Sequence, residues 1–269
     1  MGNPEHRPAG IQRSSPLTRR LLAPNACPMT LDGTNSYLVA APGSASVVVV
    51  DPGPIDDTHL AALAEAGSID LVLITHRHSD HSAASERFAR LTGARVRAID
   101  SAFCVDGRPL TDGEEIAAGG TRIRVVATPG HTADSVCFHL PADGPNGSVL
   151  TGDTILGRGT SIIAHPDGTL DAYLRSLSTL RALGPATVLP AHGPVLPDLG
   201  AVCDAYLAHR RLRLGEVRRA LAELGQGATV ALVTDRVYAH TDASVRFAAE
   251  ASVHAQLAYL RAAKPVPGV

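Results

Sequence analysis

In the segment LVLITHRHSDHSAASERF an apolar run ends at Thr75, and four groups able to ligate a metal follow within six positions: His76, His78, Asp80 and His81. A loop leaving a strand alternates its side-chain directions, so His76 and His78 can converge on one cation while Asp80 and His81 turn toward a second. Imidazole nitrogens joined by a carboxylate suit zinc. Three more candidates stand directly after apolar runs: His131 in TPGHT, Asp153 in TGD and His192 in PAHGP. Taken singly each is weak, because a His after a Pro-Gly turn is commonly a surface residue and an Asp after Gly is commonly a turn residue. Their joint placement is what carries weight. If these strand ends share one sheet edge, His76, His78 and His131 form one tripod, Asp80, His81 and His192 form the other, and Asp153 bridges them. Each of two zinc ions per chain, or of two other divalent cations, then keeps an open position for water.

The chemistry expected of such a centre is hydrolysis. Zinc lowers the pKa of water from about 15.7 to about 7, so a hydroxide bridging two cations becomes the nucleophile, with Asp80 placed to orient it. No GxSxG elbow or Walker loop offers a covalent alternative. For the proton donor to the leaving group the sequence offers His165 in IIAHPDG, in the loop after GRGT. His6, His59, His139, His209, His240 and His254 lack any ligand context and read as solvated or capping residues.

The elements that must position these residues follow one pattern between Gly33 and Pro194. Short β-branched apolar runs (SYLVA, SVVVVDPG, DLVLITH, RIRVVATPGH, SVLTGD, ATVLPAHG) end in clusters rich in Gly, Pro, Asp or His, as strands feeding loops do. Between them HLAALAEAG and SAASERFARLTG read as helices. Leu60, Leu63 and Ala64 share a face of the first, Phe88 and Leu91 recur in the second, and each helix ends near a glycine. The result is an α/β core. After Pro197 the chain reads as three helices, LGAVCDAYLAHRRLRLGEVRRALAEL, TVALVTDRVYAH and SVRFAAEASVHAQLAYLRAA, with Gly225, Gln226 and Gly227 breaking the first from the second.

A chain of 269 residues suffices for one large core with a small appendage. Its 45% hydrophobic and 19% charged residues are those of a globular protein, and no apolar run approaches the roughly 20 residues that span a bilayer, so a soluble protein with no membrane partner is expected. The polar, Pro-containing start, MGNPEHRPAGIQRSS, has no secretory core and reads as a disordered tail over residues 1–15, with the cytoplasm as the expected location. A net charge of −2 argues against a general attraction to nucleic acid. Cys27, Cys104, Cys137 and Cys203 form no CxxC pair and read as small hydrophobes.

THRHSDH, TPGHT, TGD and PAHGP, in this order across most of residues 33–197, resemble the full ligand set of the metallo-β-lactamase superfamily. That resemblance implies a four-layer αββα sandwich, a two-metal site along one edge of the facing sheets, and support of the ligand loop from behind by Asp51 in VVVVDPGP. GTNSYLV, TGDTILGRGTSII and the run from YLAHRRLRLGEV onward are similar to the subgroup with a C-terminal winged-helix-like domain, which includes the mitochondrial β-lactamase-like RNA nuclease and fungal polyketide thioesterases. A catalytic unit over residues 16–199 and a helical, winged-helix-like unit over 200–269 follow from it. Ser82, Ala83 and Ala84 depart from the glycines many relatives carry after the ligand motif.

Hydrolysis of an ester, thioester or similar acyl bond of a small molecule is the leading expectation. The alternative is a single-strand-specific endoribonuclease, for which Arg210, Arg211, Arg213, Arg218 and Arg219 would contact phosphates; offset by Glu216 and Glu223, they read instead as a solvated helix face. A non-catalytic DNA-binding regulator is disfavoured by the complete ligand set. True β-lactamase activity is disfavoured because the antibiotic-hydrolysing zinc branches replace the carboxylate that Asp153 provides. The oligomeric state is not legible.

Overall fold

The computed structural model of the chain describes residues 10–239 and 241–262, which leaves His6, His240 and most of the N-terminal tail outside the described residues. In chain order the elements begin with β1 (Gln12–Arg13), β2 (Thr18–Leu22), β3 (Asn35–Val39), β4 (Val47–Val50), α1 (Asp57–Ala64), β5 (Ile69–Leu73), α2 (Ser79–Ser82), α3 (Ser85–Thr92) and β6 (Arg95–Arg97). They continue with β7 (Glu115–Ala118), β8 (Thr121–Ala127), β9 (Val136–Leu140), β10 (Ser148–Gly152), α4 (Leu170–Arg181), β11 (Thr187–Pro190), α5 (Leu199–Leu224), α6 (Val230–Val237) and α7 (Arg246–Ala262).

The strands make two mixed sheets, one ordered β1-β2-β3-β4-β5-β6 and the other β11-β10-β9-β8-β7. Strand β4 shows how the layers form, since in a strand alternate residues face opposite ways. Val48 and Val50 enter the cluster between the sheets with Tyr37, Leu73, Val125, Phe138 and Leu150, whereas Val47 and Val49 face Leu60, Leu63 and Phe88 of α1 and α3. The outer face of the second sheet is covered in the same manner, with Cys137, Val149 and Val188 against Tyr173, Leu177 and Leu180 of α4 and Cys203 and Tyr206 of α5. The four layers are therefore helix, sheet, sheet, helix. Phe88 is buried as its spacing suggests, but Leu91 lies 57% exposed.

Two expectations need correction. Residues 10–15 are not a disordered tail: β1 pairs antiparallel with β2, Gln12 opposite Arg20 and Arg13 opposite Arg19. The physical reason lies just beyond it, where the buried Asp143 carboxylate accepts from Ser15 Oγ and, at 2.7 Å, from the Leu17 amide, fixing the entry of the chain. His59 is not solvated either. It is 2% exposed, with Nε2 2.9 Å from Ser36 Oγ under the turn at Gly53.

Helix α5 is capped by Asp198, whose Oδ1 accepts from the Ala201 amide at 3.1 Å, and ends at Gly225 with φ +92°. Its first turns belong to the second sheet's outer core, and its last turns form a separate cluster with α6 and α7, of Val217, Leu221, Val233, Val253 and Leu257. The segment after Pro197 is helical, and no strand occurs in it among the described residues. No helix among them is long and apolar enough to cross a membrane.

Burial pushes the His59 imidazole down to about 4, so the folded chain holds it neutral. Its contribution to stability is complete above the unfolded value near 6.5. It is lost as the pH falls toward about 4, because the unfolded chain gains a proton that the folded chain refuses, at about 1.4 kcal/mol per pH unit. Urea titrations of His59→Gln should lose about 2 kcal/mol less stability between pH 7 and pH 5 than the parent chain. Parallel losses would show that His59 is not held neutral.

Candidate metal centre

Every candidate ligand leaves the sheets at one edge. Asp51 ends β4 and Thr75-His76 follow β5; His78 stands at the N-terminus of α2, which carries Asp80 and His81. His131 lies in the connection from β8 to β9, while Asp153 and His192 follow β10 and β11. The two sheets are tied together at this edge by backbone bonds from Val136 to Thr75 (2.8 Å) and from Asn35 to Ala191 (2.7 Å), and by Tyr37 donating to the Pro190 carbonyl at 3.0 Å. Gly152 makes the approach possible. Its φ is +50°, and a Cβ there would meet the Thr75 side chain at 2.7 Å. The glycine before His131 is equally constrained, because a Cβ on Gly130 would fall 2.4 Å from Tyr173 Cα.

The ligand atoms converge in two groups, His76, His78, His131 and Asp153 in one, Asp80, His81 and His192 in the other, each within 4.8 Å internally. In the first, His78 Nδ1 lies 3.0 Å from His76 Nε2 and 3.1 Å from His131 Nε2. In the second, Asp80 Oδ2 lies 3.2 Å from both His81 Nε2 and His192 Nε2. Asp153 spans the gap with its two oxygens divided between them. Oδ2 faces His76 (3.9 Å) and His131 (3.6 Å), and Oδ1 faces His81 (3.6 Å) and His192 (3.3 Å).

The outer ring nitrogens explain the aim of the inner ones. His131 Nδ1 meets the Ile162 carbonyl at 2.7 Å and His192 Nδ1 meets the Gly33 carbonyl at 3.1 Å. His81 Nδ1 meets Asp51 Oδ2 at 2.9 Å. These partners only accept, so each Nδ1 carries a proton and each Nε2 faces inward, where it offers a lone pair whenever the ring is neutral. His76 is set by relay: Thr75 Oγ1 donates to Asp51 Oδ2 at 2.7 Å and takes the His76 Nδ1 proton at 3.1 Å. Asp51 also accepts from the Thr75 amide at 2.8 Å, is 2% exposed, and sits at φ +53°, a conformation aspartate tolerates better than most residues. It therefore orients ligands of both groups at once.

A cation suits this donor set, because His81 Nε2 and Asp153 Oδ1 are buried with no hydrogen-bond partner. Charge in the metal-free chain is divided unevenly. Burial, joined by the neighbouring imidazoles, holds His76 well below its ordinary value, His78 down to about 4, and His131 low. Burial also works against a charged His81 and His192, but Asp153 and Asp80 outweigh it, holding His81 well above its ordinary value and pushing His192 up to about 10. Burial likewise opposes ionisation of Asp80 and Asp153, and the same histidines hold both carboxyls well below the usual range. Protons on His81 and His192 thus do between the carboxylates what a second cation would do, and metal binding must displace them.

The centre opens into a cleft of about 390 Å³, where His131 and Asp153 face Met29, Leu31 and Ile162 on one side and residues of α5 on the other. His165 is not there. It lines a separate cavity with Thr169 and Tyr259 and stacks on His254 with ring centroids 5.5 Å apart, because the backbone beside it turns inward only as far as Ala164, whose amide bonds the His131 carbonyl. The histidine outside the two ligand groups that does line the cleft is His209, one α-helical turn from Arg213. The expected solvated arginine face is also only partly present. Arg211, Arg218 and Arg219 are exposed, but Arg210 is 3% exposed and lines the cleft with Arg213.

A family model described as the metallo-beta-lactamase superfamily matches residues 29–192. The chain is 31% identical over 257 residues to the beta-lactamase-like protein 2 homolog of Caenorhabditis elegans, covering 89% of this chain and 82% of that one. It is also 31% identical, over 220 residues, to the atrochrysone carboxyl ACP thioesterase AacuM of Aspergillus aculeatus, covering 80% and 67%. Among solved structures, a metallo-beta-lactamase family protein from Thermus thermophilus superposes with a TM-score of 0.76 at 26% identity over 92% of this chain and 94% of that one. A protein crystallised in a di-iron-bound form superposes at 0.54 with 26% identity, over 69% and 95%.

Asp51→Asn removes the charge and gives one acceptor oxygen where three donors now converge. Chelator competition should show metal affinity falling by about 10- to 100-fold, the usual consequence of losing a ligand's outer partner. Unchanged affinity would mean that Asp51 serves the loop backbone alone.

Proposed function

The chain belongs to the metallo-beta-lactamase superfamily, and we propose that it is a hydrolase whose centre holds two zinc ions and opens an ester, thioester or similar acyl bond. The observation that carries the two-cation reading is the division of Asp153, one oxygen to each histidine group, with Oδ1 buried and unpartnered. Two divalent cations held there supply Lewis acidity and a water that ionises near neutral pH. The nitrogen-rich donor set suits zinc, although the di-iron form of a structural neighbour shows that the same fold accepts iron in that protein.

The residues of the chain define the rest of the reaction. Asp80, 25% exposed and hydrogen-bonded by Thr34 Oγ1 at 3.4 Å, is the least enclosed carboxylate of the centre and the one placed to orient an attacking water. His131 and Asp153 mark the cleft floor where the scissile bond must lie, and Met29, Leu31, Leu156 and Ile162 give an acyl chain apolar contact there. His209 enters the cleft as a neutral hydrogen-bond partner, because burial and then Arg210 and Arg213 hold it below its ordinary value. The acyl reading draws support from the thioesterase-named relative and from the enclosure of this cleft. An RNA strand would instead need a run of exposed phosphate contacts, and the three arginines lining the cleft do not form one: Arg210 is 3% exposed, Arg213 is half-buried and Arg158 is paired with Asp32.

Metal analysis should give two zinc ions per chain, with fewer than two retained by Asp153→Ala. A parent stoichiometry near one in excess zinc, or two ions kept by the variant, would remove the bridge. Zinc-loaded protein should hydrolyse small thioesters faster than single-stranded RNA, with kcat/KM in Asp80→Ala and His131→Ala down by on the order of 100-fold or more. If RNA alone is cut and both variants lose that cleavage, the nuclease reading replaces this one.

A further inference from the structure

Resting on the acyl-hydrolase reading, we propose that the α5 wall of the cleft is a subsite for an anionic group carried by the substrate. The shared chemistry is a fixed carboxylate or phosphate at the end of the acyl or thiol portion, several bonds from the scissile carbonyl.

The first observation is a buried charge without a counterion. The Arg210 guanidinium is 3% exposed, yet no carboxylate lies within salt-bridge distance of it among the described residues. It has the face of Tyr173, 4.9 Å away, and a bond to the Ser161 carbonyl, and its Nε has no partner. Buried charges are ordinarily paired, because the interior stabilises an isolated one poorly. Arg210 is also one of the residues lining the cleft, so its uncompensated charge adds to the positive character of that wall.

The second observation is a prepared donor one helical turn further on. Arg213 lies over the Tyr238 ring at 5.0 Å, Glu216 takes its Nη1 at 2.8 Å, and His209 lies 3.4 Å from its Nε. The plane of the guanidinium is thereby fixed, while Nη2 has no partner among the described residues. A guanidinium held in plane loses little freedom on accepting an anion, and it meets carboxylate and phosphate alike. Arg158 adds a third cation to the lining, where it is paired with Asp32 at 2.7 Å. The one carboxylate among the lining residues is Asp153, already committed between the histidine groups. His209, Arg210 and Arg213 recur at helical spacing, so one face of α5 presents all three to the cleft.

The test uses two pairs of thioesters on the zinc-loaded chain. One pair is the glutaric-acid thioester of N-acetylcysteamine and its monomethyl ester; the other is acetyl-pantetheine with and without its terminal phosphate. The charged member of at least one pair should have a kcat/KM higher by about tenfold or more, mainly through KM, as expected of one charge-assisted hydrogen bond. Which pair responds identifies an acyl-side carboxylate or a thiol-side phosphate as the source. Arg213→Gln, a half-exposed change that spares the core, should bring that ratio to within about threefold, whereas Arg218→Gln on the exposed face should leave it intact. Calorimetric binding of the corresponding thioethers, which cannot be hydrolysed, supplies a readout free of turnover. Preference for charged thioethers with no thioester turnover would keep the subsite and reject the hydrolase reading. Turnover with equal rates within both pairs, indifferent to Arg213→Gln, would reject the subsite and keep the hydrolase.

Discussion

Seven side chains aim lone pairs into one small volume, and that is an arrangement a protein interior resists. His76 Nε2 and His131 Nε2 have no proton to offer His78 Nδ1, 3.0 and 3.1 Å away, once their outer nitrogens have taken one, and the carboxylates beside them are largely enclosed. Something positive must stand among them. Protons on His81 and His192 answer part of the need in the metal-free chain, and bound cations would answer the rest. The surrounding fold is the scaffold that keeps this unfavourable convergence from relaxing.

Asp51 is the point where that scaffold is most concentrated. Its carboxylate receives the amide and hydroxyl of Thr75 and the outer nitrogen of His81, so one buried charge at the end of β4 fixes the exit of β5 and both ligand groups. The cost of burying it is offset by three donors, which is the condition under which a carboxylate is tolerated in an interior. Gly152 lets β10 of the opposite sheet close to the same Thr75, carrying Asp153 into the gap. Strand ends that are remote in sequence thus meet because two sheets press together at one residue.

This explains which parts are legible in the sequence. Ligands that directly follow apolar runs can be picked out because strand, turn and ligand are local signals, and THRHSDH is dense enough to be read alone. Strand β9 escapes that pattern although VCFHL is largely apolar, because no ligand follows it; β1, β2, β6 and β7 are short or carry arginine and glutamate at the sheet margins. The departures at His59, His165 and Arg210 share a cause. Whether each is buried depends on tertiary packing, of the turn at Gly53 over α1 and of the loop at residues 156–162 against α5, and no local period encodes that. Arg210 in particular is surrounded by arginines that are exposed, and only the docking of the helix separates them.

The same docking divides the labour of the cleft. The histidines and carboxylates of the candidate centre come from loops at the sheet edge and are locked by backbone carbonyls and Asp51, so a substitution among them disturbs the centre itself. His209, Arg210 and Arg213 line the cleft from one side of α5, joined to the centre through the Ser161-Ile162 backbone: Arg210 holds the Ser161 carbonyl and His131 holds the carbonyl of Ile162. A change at Arg213 reaches only the substrate side, whereas a change at Arg210 also releases the backbone that aims His131. The outer turns of the helix can therefore vary without disturbing the histidines, while its inner turn is bound to the backbone that aims His131. That asymmetry is what a superfamily needs if one centre is to serve many substrates.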